Sequence, residues 1–223
     1  MSGTTGQRDR QMPGMTIGVM GSAGGDITAE VREQAYRLGE EIARRGLVLL
    51  TGACPGIPQE SVKGASAHGG LVVGISPALD FAEHVQRYHS PTRGYNAIVY
   101  TGSGLMGREI ENIRSSDAVV FISGRVGTLG EFAIAYDEGN IIGLLRGSGG
   151  ITDHLPEIIQ KLAKRTRAIV CIDDDPIGLL DQLEKVYRER ERPQQLKLLT
   201  QHNPDGVEEG NGGQADAVQG QPA

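Results

Sequence analysis

The stretch "AVVFISGRVGTLGEF", Ala118 to Phe132, decides how this chain is read. Five apolar residues in a row, Ala118 to Ile122, suit a strand that is covered on both faces. A glycine-bearing turn follows, and then a segment of helical character that carries Glu131. Strand, glycine turn and helix start in succession bring backbone N–H groups together on an anion. Gly124 and Gly127 free the backbone, and the Thr128 hydroxyl can cap the helix or donate to a ligand. "TLGE" also has capping-box spacing, with Glu131 three residues after Thr128. Glu131 is then either a helix-end partner or a carboxylate set beside a bound anion, and local spacing leaves both open.

Further apolar runs surround this one: "TIGVM", "LVLL", "LVVGI", "AIVY", "IIGLL" and "AIVCI". They too are continuous rather than alternating. Helical segments separate most of them. "TAEVREQAYRLGEEIARRG" places Val31, Ala35, Leu38 and Ile42 on one face, and "DPIGLLDQLEKVYRERER" does the same with Ile177, Leu180, Leu183 and Tyr187. Repeated β–α units predict an α/β fold, a single doubly wound Rossmann-like domain over residues 15–192 with a mostly parallel sheet of about seven strands. The polar, glycine-rich segments 1–14 and 193–223 read as a disordered N-terminal and a flexible C-terminal tail.

The 223 residues carry a net charge of −6 and only 4% aromatics, so the core is aliphatic and the surface suits neither nucleic acid nor an anionic membrane. No run is long enough to span a bilayer, and no apolar leader is seen, so a cytoplasmic location is expected. Cys54 and Cys171 lack motif spacing and suggest no disulfide framework. His68, His84, His89, His154 and His202 show no metal-ligand pattern, and no metal is expected. Ser76 has no identifiable His–Asp partners, so triad chemistry has no support, and Tyr100 and Tyr136 read as packing residues.

Doubly wound sheets bind ligands at the carboxyl ends of their strands, near the point where strand order reverses. After the first strand, Gly21 and Ser22 open "GSAGGD"; after the second, Gly52 and Gly56 punctuate "TGACPGIPQES". The glycine spacing is not that of a dinucleotide fingerprint. The second strand ends in Thr51 and Gly52 rather than an acid, and no P-loop occurs. In "TGSGLMGREIENIRSSD", Met106, Ile110 and Ile113 are expected to face the sheet, while Arg108 and Asn112 share another face. An arginine near a helix N-terminus is unfavourable unless something negative is close, here a bound anion or Glu131.

"GREIENIRSSDAVVFISGRVGTLGEFAIAYDEG" and "TGACPGIPQESVKGASAHGGLVVGISP" together resemble the LOG superfamily, once labelled lysine decarboxylases, over roughly residues 15–165. That group includes cytokinin-activating phosphoribohydrolases and molybdenum-cofactor carriers. The resemblance implies a Rossmann-like fold and a homodimer or homotetramer. In its enzymes a P-G-G-x-G-T-x-x-E motif and an arginine twenty residues before the threonine cleave the N-glycosidic bond of a nucleoside 5′-monophosphate. Arg108 and Glu131 hold those two positions, and Gly124, Gly127 and Thr128 match the phosphate-cradling part. Ser123 replaces the motif's proline, Arg125 its second glycine, and Glu109 the lysine that follows the enzymes' arginine. "GREIENIRSS" is nearer to the carriers. The expectation is therefore a binding protein for a small anionic phosphorylated ligand, an AMP-like nucleotide or the molybdenum cofactor. Its site would comprise Gly21, Ser22, Gly52, Gly56, Arg108, Asn112, Gly124, Arg125, Gly127 and Thr128, with no cofactor needed for folding. The alternatives are a phosphoribohydrolase using Arg108 and Glu131, and an oligomeric ligand-sensing scaffold.

Overall fold

The computed structural model describes residues 14–162 and 164–202. Seven strands, β1 (Thr16–Gly21), β2 (Val48–Thr51), β3 (Leu71–Ser76), β4 (Ala97–Tyr100), β5 (Ala118–Ile122), β6 (Ile141–Leu145) and β7 (Ile169–Asp173), form one sheet in the order β4-β3-β2-β1-β5-β6-β7. All six pairings are parallel. The chain moves outward from β1 to β4, then returns to lay β5 on the free side of β1. Strand order reverses there.

The helices are α1 (Ala29–Arg44), α2 (Ile57–Ala67), α3 (Phe81–Gln86), α4 (Gly104–Arg114), α5 (Val126–Glu138), α6 (Leu155–Lys161) and α7 (Pro176–His202). Strand alternation explains the two apolar layers. Ala118, Val120 and Ile122 of β5 meet residues of α1, α2 and α7, such as Leu38, Ile42, Val62 and Leu183. Val119 and Phe121 point the other way, onto Ile113, Phe132 and Leu155 of α4, α5 and α6. A sheet covered on both faces needs continuous apolar strands, which is why β5 and β6 are buried at every position. Thr28 caps α1 by accepting from the Val31 N–H at 3.3 Å. At the other end Arg45 binds Glu41, Asp181 and Glu184 at 2.8, 2.6 and 2.5 Å, joining α1 to α7.

Two expectations differ from the structure. Met106 and Ile110 do not face the sheet: they are 81% and 39% exposed, and only Ile113 of that stripe is buried. The phase of α4 is set instead by Arg108, Asn112 and Ile113, all buried, because the first half of α4 walls a polar cleft beyond the strand ends. Residues 193–202, assigned by sequence to the C-terminal tail, continue α7 as helix; "QQLKLL" consists of good helix formers. The remaining tail positions, 1–13 and 203–223, lie outside the described residues. From Arg188 onward the chain is a second unit; in its described part Arg190 pairs with Glu191 at 3.0 Å and Pro193 sits within the helix. Among the described residues no helix is long and apolar enough to cross a membrane.

Candidate functional site

Strands β1, β2 and β5 end side by side at the reversal, and the segments after them enclose a cleft of about 320 Å³ with α4 and α5. Two residues in these turns, Ala53 (φ 48°) and Ser123 (φ 57°), hold left-handed backbone conformations that cost non-glycine residues energy. The turn after β5 is pinned from both sides. The Ser22 hydroxyl accepts from the Gly124 N–H at 3.0 Å, the Ser123 N–H donates to the Ser148 hydroxyl at 2.8 Å, and Thr152 Oγ1 donates to the Ser123 carbonyl at 2.5 Å.

Helix α5 starts at Val126, with Arg125 in the N-cap position and no side-chain cap. Its first backbone bond runs from the Leu129 N–H to the Arg125 carbonyl at 3.0 Å. The capping-box reading of "TLGE" therefore does not hold: Thr128 is inside the first turn and Glu131 lies in the second. Gly124, at φ 98°, turns the chain into the helix three residues earlier than that spacing suggests. The N–H groups of the first turn are left for a ligand, since no carbonyl precedes them in the helix.

Arg108 is the charge these donors face across the cleft. It is 8% exposed, and its Nε is buried without a hydrogen-bond partner. Among the described residues no carboxylate lies within 4 Å of its guanidinium. Its planar group fills the space where Gly52 has no side chain; a Cβ there would overlap it. Asn112 is fully buried behind, its amide N–H₂ 3.7 Å from the Met20 sulfur and its Oδ1 unpartnered. A buried guanidinium costs several kcal/mol of desolvation unless something negative compensates it.

Glu131 is 6% exposed and lines the same cleft. Burial pushes its carboxyl up to about 7; Arg108 and the Asn112 amide pull it back, while Glu109 adds to the rise. Burial also raises Glu109, whose carboxylate lies against the helix face left bare by Gly127 and Gly130. The Cys54 thiol is pushed up to about 11, chiefly by burial, against the pull of Arg108. It stays protonated at neutral pH.

Gly21, Ser22, Gly52, Arg108, Arg125, Gly127, Thr128 and Glu131 all line the cleft. Asn112, Gly56 and Gly124 do not. Asn112 backs Arg108; Gly56, at φ 76°, lets α2 start against the Ser22 carbonyl; Gly124 lets Thr128 approach. Ser22 spends its hydroxyl on the Gly124 N–H. Glu109 and Cys54 also line the cleft, unforeseen as site residues. Two sequence signals point to Glu109: its place directly after Arg108, where the resembled enzymes have lysine, and the pair Gly127 and Gly130, one turn apart on α5. Ser76 does have a histidine: its hydroxyl is 2.8 Å from His84 Nδ1, and His84 Nε2 is 3.1 Å from the Pro91 carbonyl. A carbonyl only accepts, so Nε2 carries the hydrogen and Ser76 donates to Nδ1. Both residues are fully buried, and the pair pins a loop rather than meeting a substrate. Among the described residues no group of three His, Cys, Asp or Glu could hold a metal ion.

The profile of the family described as "LDcluster4: SLOG cluster4 family" matches residues 14–180. An uncharacterised protein of Archaeoglobus fulgidus is 36% identical over 137 residues, 59% of this chain and 80% of that one. Among solved structures, the molybdenum cofactor binding protein of Rippkaea orientalis superposes with a TM-score of 0.65 at 28% identity, covering 79% of this chain and 99% of that one. The Moco carrier protein of Chlamydomonas reinhardtii gives 0.66 at 25% identity, with 79% and 99% covered.

Proposed function

The chain belongs to the SLOG cluster4 family, and on that premise we propose that it binds a phosphorylated small molecule, nucleotide-like or pterin-like, in the manner of the molybdenum-cofactor carriers it resembles. The observation that carries this reading is Arg108: a buried cation with an unpartnered Nε, facing the open first turn of α5. A phosphate between them satisfies the guanidinium and the helix N–H groups at once. The molybdenum cofactor is a pterin on a phosphorylated arm, and Arg108, Arg125 and the α5 turn suit that arm; a purine nucleotide offers the same group. The resemblance to two molybdenum-cofactor proteins supports the pterin.

A second reading has its own observation. A carboxyl held near 7 beside a guanidinium, as Glu131 is, suits general acid–base work on an N-glycosidic bond. Glu131→Gln separates the two: a hydrolase loses base release from AMP and keeps binding, and a carrier shows no base release from the wild type either.

The exposed apolar side chains Leu105 and Met106 of α4 support a homodimer or homotetramer. Calorimetry with AMP and with a phosphorylated pterin tests the main reading. Charge-assisted hydrogen bonds of roughly 1.5–3 kcal/mol predict an affinity loss of about ten- to a hundredfold in Arg108→Met. Equal affinities in wild type and variant would remove Arg108 from the site.

A further inference from the structure

A second cleft of about 500 Å³ opens on the other side of the α5 start. Arg125 and Val126 line both clefts, so the two meet along these residues. Their chemistry differs. The first is walled by Arg108, Glu109, Glu131 and Thr128. The wall of the second comes from Val126, Leu129 and Ile151, with His154 and Arg125 as its titratable groups. The nearby carboxylate of Asp153 is occupied, accepting from the Gly147 and Gly149 N–H groups at 2.8 and 2.9 Å. The same loop is bonded to the turn after β5, the Ile151 N–H donating to the Gly124 carbonyl at 2.9 Å. The second cleft is therefore preformed. Val126, 84% exposed, is a branched apolar side chain held in water on the ridge between the clefts.

We infer that this second cleft takes the fused planar heterocycle of the ligand whose phosphate sits at Arg108, with the ring laid on Val126 and Ile151. The inference rests on the phosphate reading above and adds where the ring goes. A ligand that is charged at one end and flat and apolar at the other matches the division between the clefts, and the volume of the second suits a bicyclic ring. Arg125 guanidinium atoms lie close to Gly25, on the side of the first cleft, so this cation stays with the phosphate and leaves the apolar wall of the second cleft to the ring. This placement sends the ring away from Glu131, which lines the first cleft only, and favours an intact ligand over a cleaved one.

The test is calorimetry on the full chain with AMP, neopterin monophosphate and ribose 5-phosphate. The first two carry a purine and a pterin ring; the third has the phosphate and sugar alone. Ile151→Trp fills the second cleft, and His154→Glu, at an exposed position, puts an anion into it without disturbing the core. We expect AMP or neopterin monophosphate to lose tenfold or more in both variants, with ribose 5-phosphate unchanged within twofold. Whichever ring compound binds the wild type tighter than ribose 5-phosphate identifies the heterocycle. If both variants keep the ring compounds within twofold, or if ribose 5-phosphate falls in parallel, the ring subsite is wrong and the phosphate site stands. If the wild type binds ribose 5-phosphate as tightly as both ring compounds, the subsite is again wrong. Binding of none of the three to the wild type would overturn the phosphate reading, and the subsite with it.

Discussion

Arg108 shows how a single side chain sets stability against binding. A buried cation without a carboxylate partner is a cost the fold bears in the absence of ligand. Arg108→Met, similar in length and uncharged, is expected to raise the melting temperature of the unliganded protein and to shift its further rise to about ten- to a hundredfold higher AMP or phosphorylated pterin. Differential scanning fluorimetry reads both effects in one experiment. Glu131 gives a pH dependence of the opposite kind to an ordinary ion pair. Its folded-state carboxyl titrates near 7, above the roughly 4.3 of an unfolded glutamate, so between these values the folded state holds more protons. Stability from this group therefore falls as pH rises from about 4.5 to 7, by on the order of 3 kcal/mol, and is flat below that window. Urea titrations across this range should show a slope in the wild type that Glu131→Gln lacks. Arg108 was legible as a candidate because an arginine after a glycine loop at a helix start calls for an anion. Glu109 was not, because its place in the cleft depends on Gly127 and Gly130 of a different helix facing it.

At the scale of elements, two glycines of the turn after β2 are expected to respond oppositely. Gly56 has φ 76°, and a Cβ there would strike the Ser22 and Ala23 backbone. Gly56→Ala should cost about 3 kcal/mol or more in urea denaturation, from left-handed strain and a backbone overlap that cannot relax cheaply. Gly52 has no such φ, and the nearest atoms its added methyl would meet are those of the Arg108 guanidinium and the Asn112 amide. Gly52→Ala should displace Arg108 and weaken phosphate binding tenfold or more, with a small change in stability. All seven strands were visible as continuous apolar runs; β5 and β6 are so because both sheet faces are covered there, whereas the edge strands β4 and β7 keep apolar residues at exposed positions such as Val99 and Ile172. The phase of α4 was not. Apolar spacing reports which residues avoid water and cannot distinguish a face turned to the sheet from one turned outward, as Met106 is. The start of α5 was missed for a related reason: the capping pattern is local, whereas the turn is set by Ser22 and Ser148 from distant segments.

The whole molecule carries exposed Leu79, Phe81, Val99, Leu105 and Met106. The segments bearing them adjoin, since the Gly102 N–H donates to the Ala78 carbonyl at 2.9 Å. Sedimentation should give a species larger than one chain, and the double variant Leu105→Glu, Met106→Glu should shift it toward the monomer. The strand order has a kinetic consequence. Strands β1 to β4 are consecutive in both sequence and sheet, as are β5 to β7, and only the pairing of β1 with β5 joins the two sets. Ile17 pairs with Ala118, so this contact closes a loop of about a hundred residues and forms late relative to the local β–α–β pairings. The cleft walled by Arg108 and the start of α5 lies on that seam. A ligand therefore has nothing to hold until the two halves have docked. In stopped-flow experiments it should slow unfolding in proportion to its occupancy and leave the refolding rate unchanged.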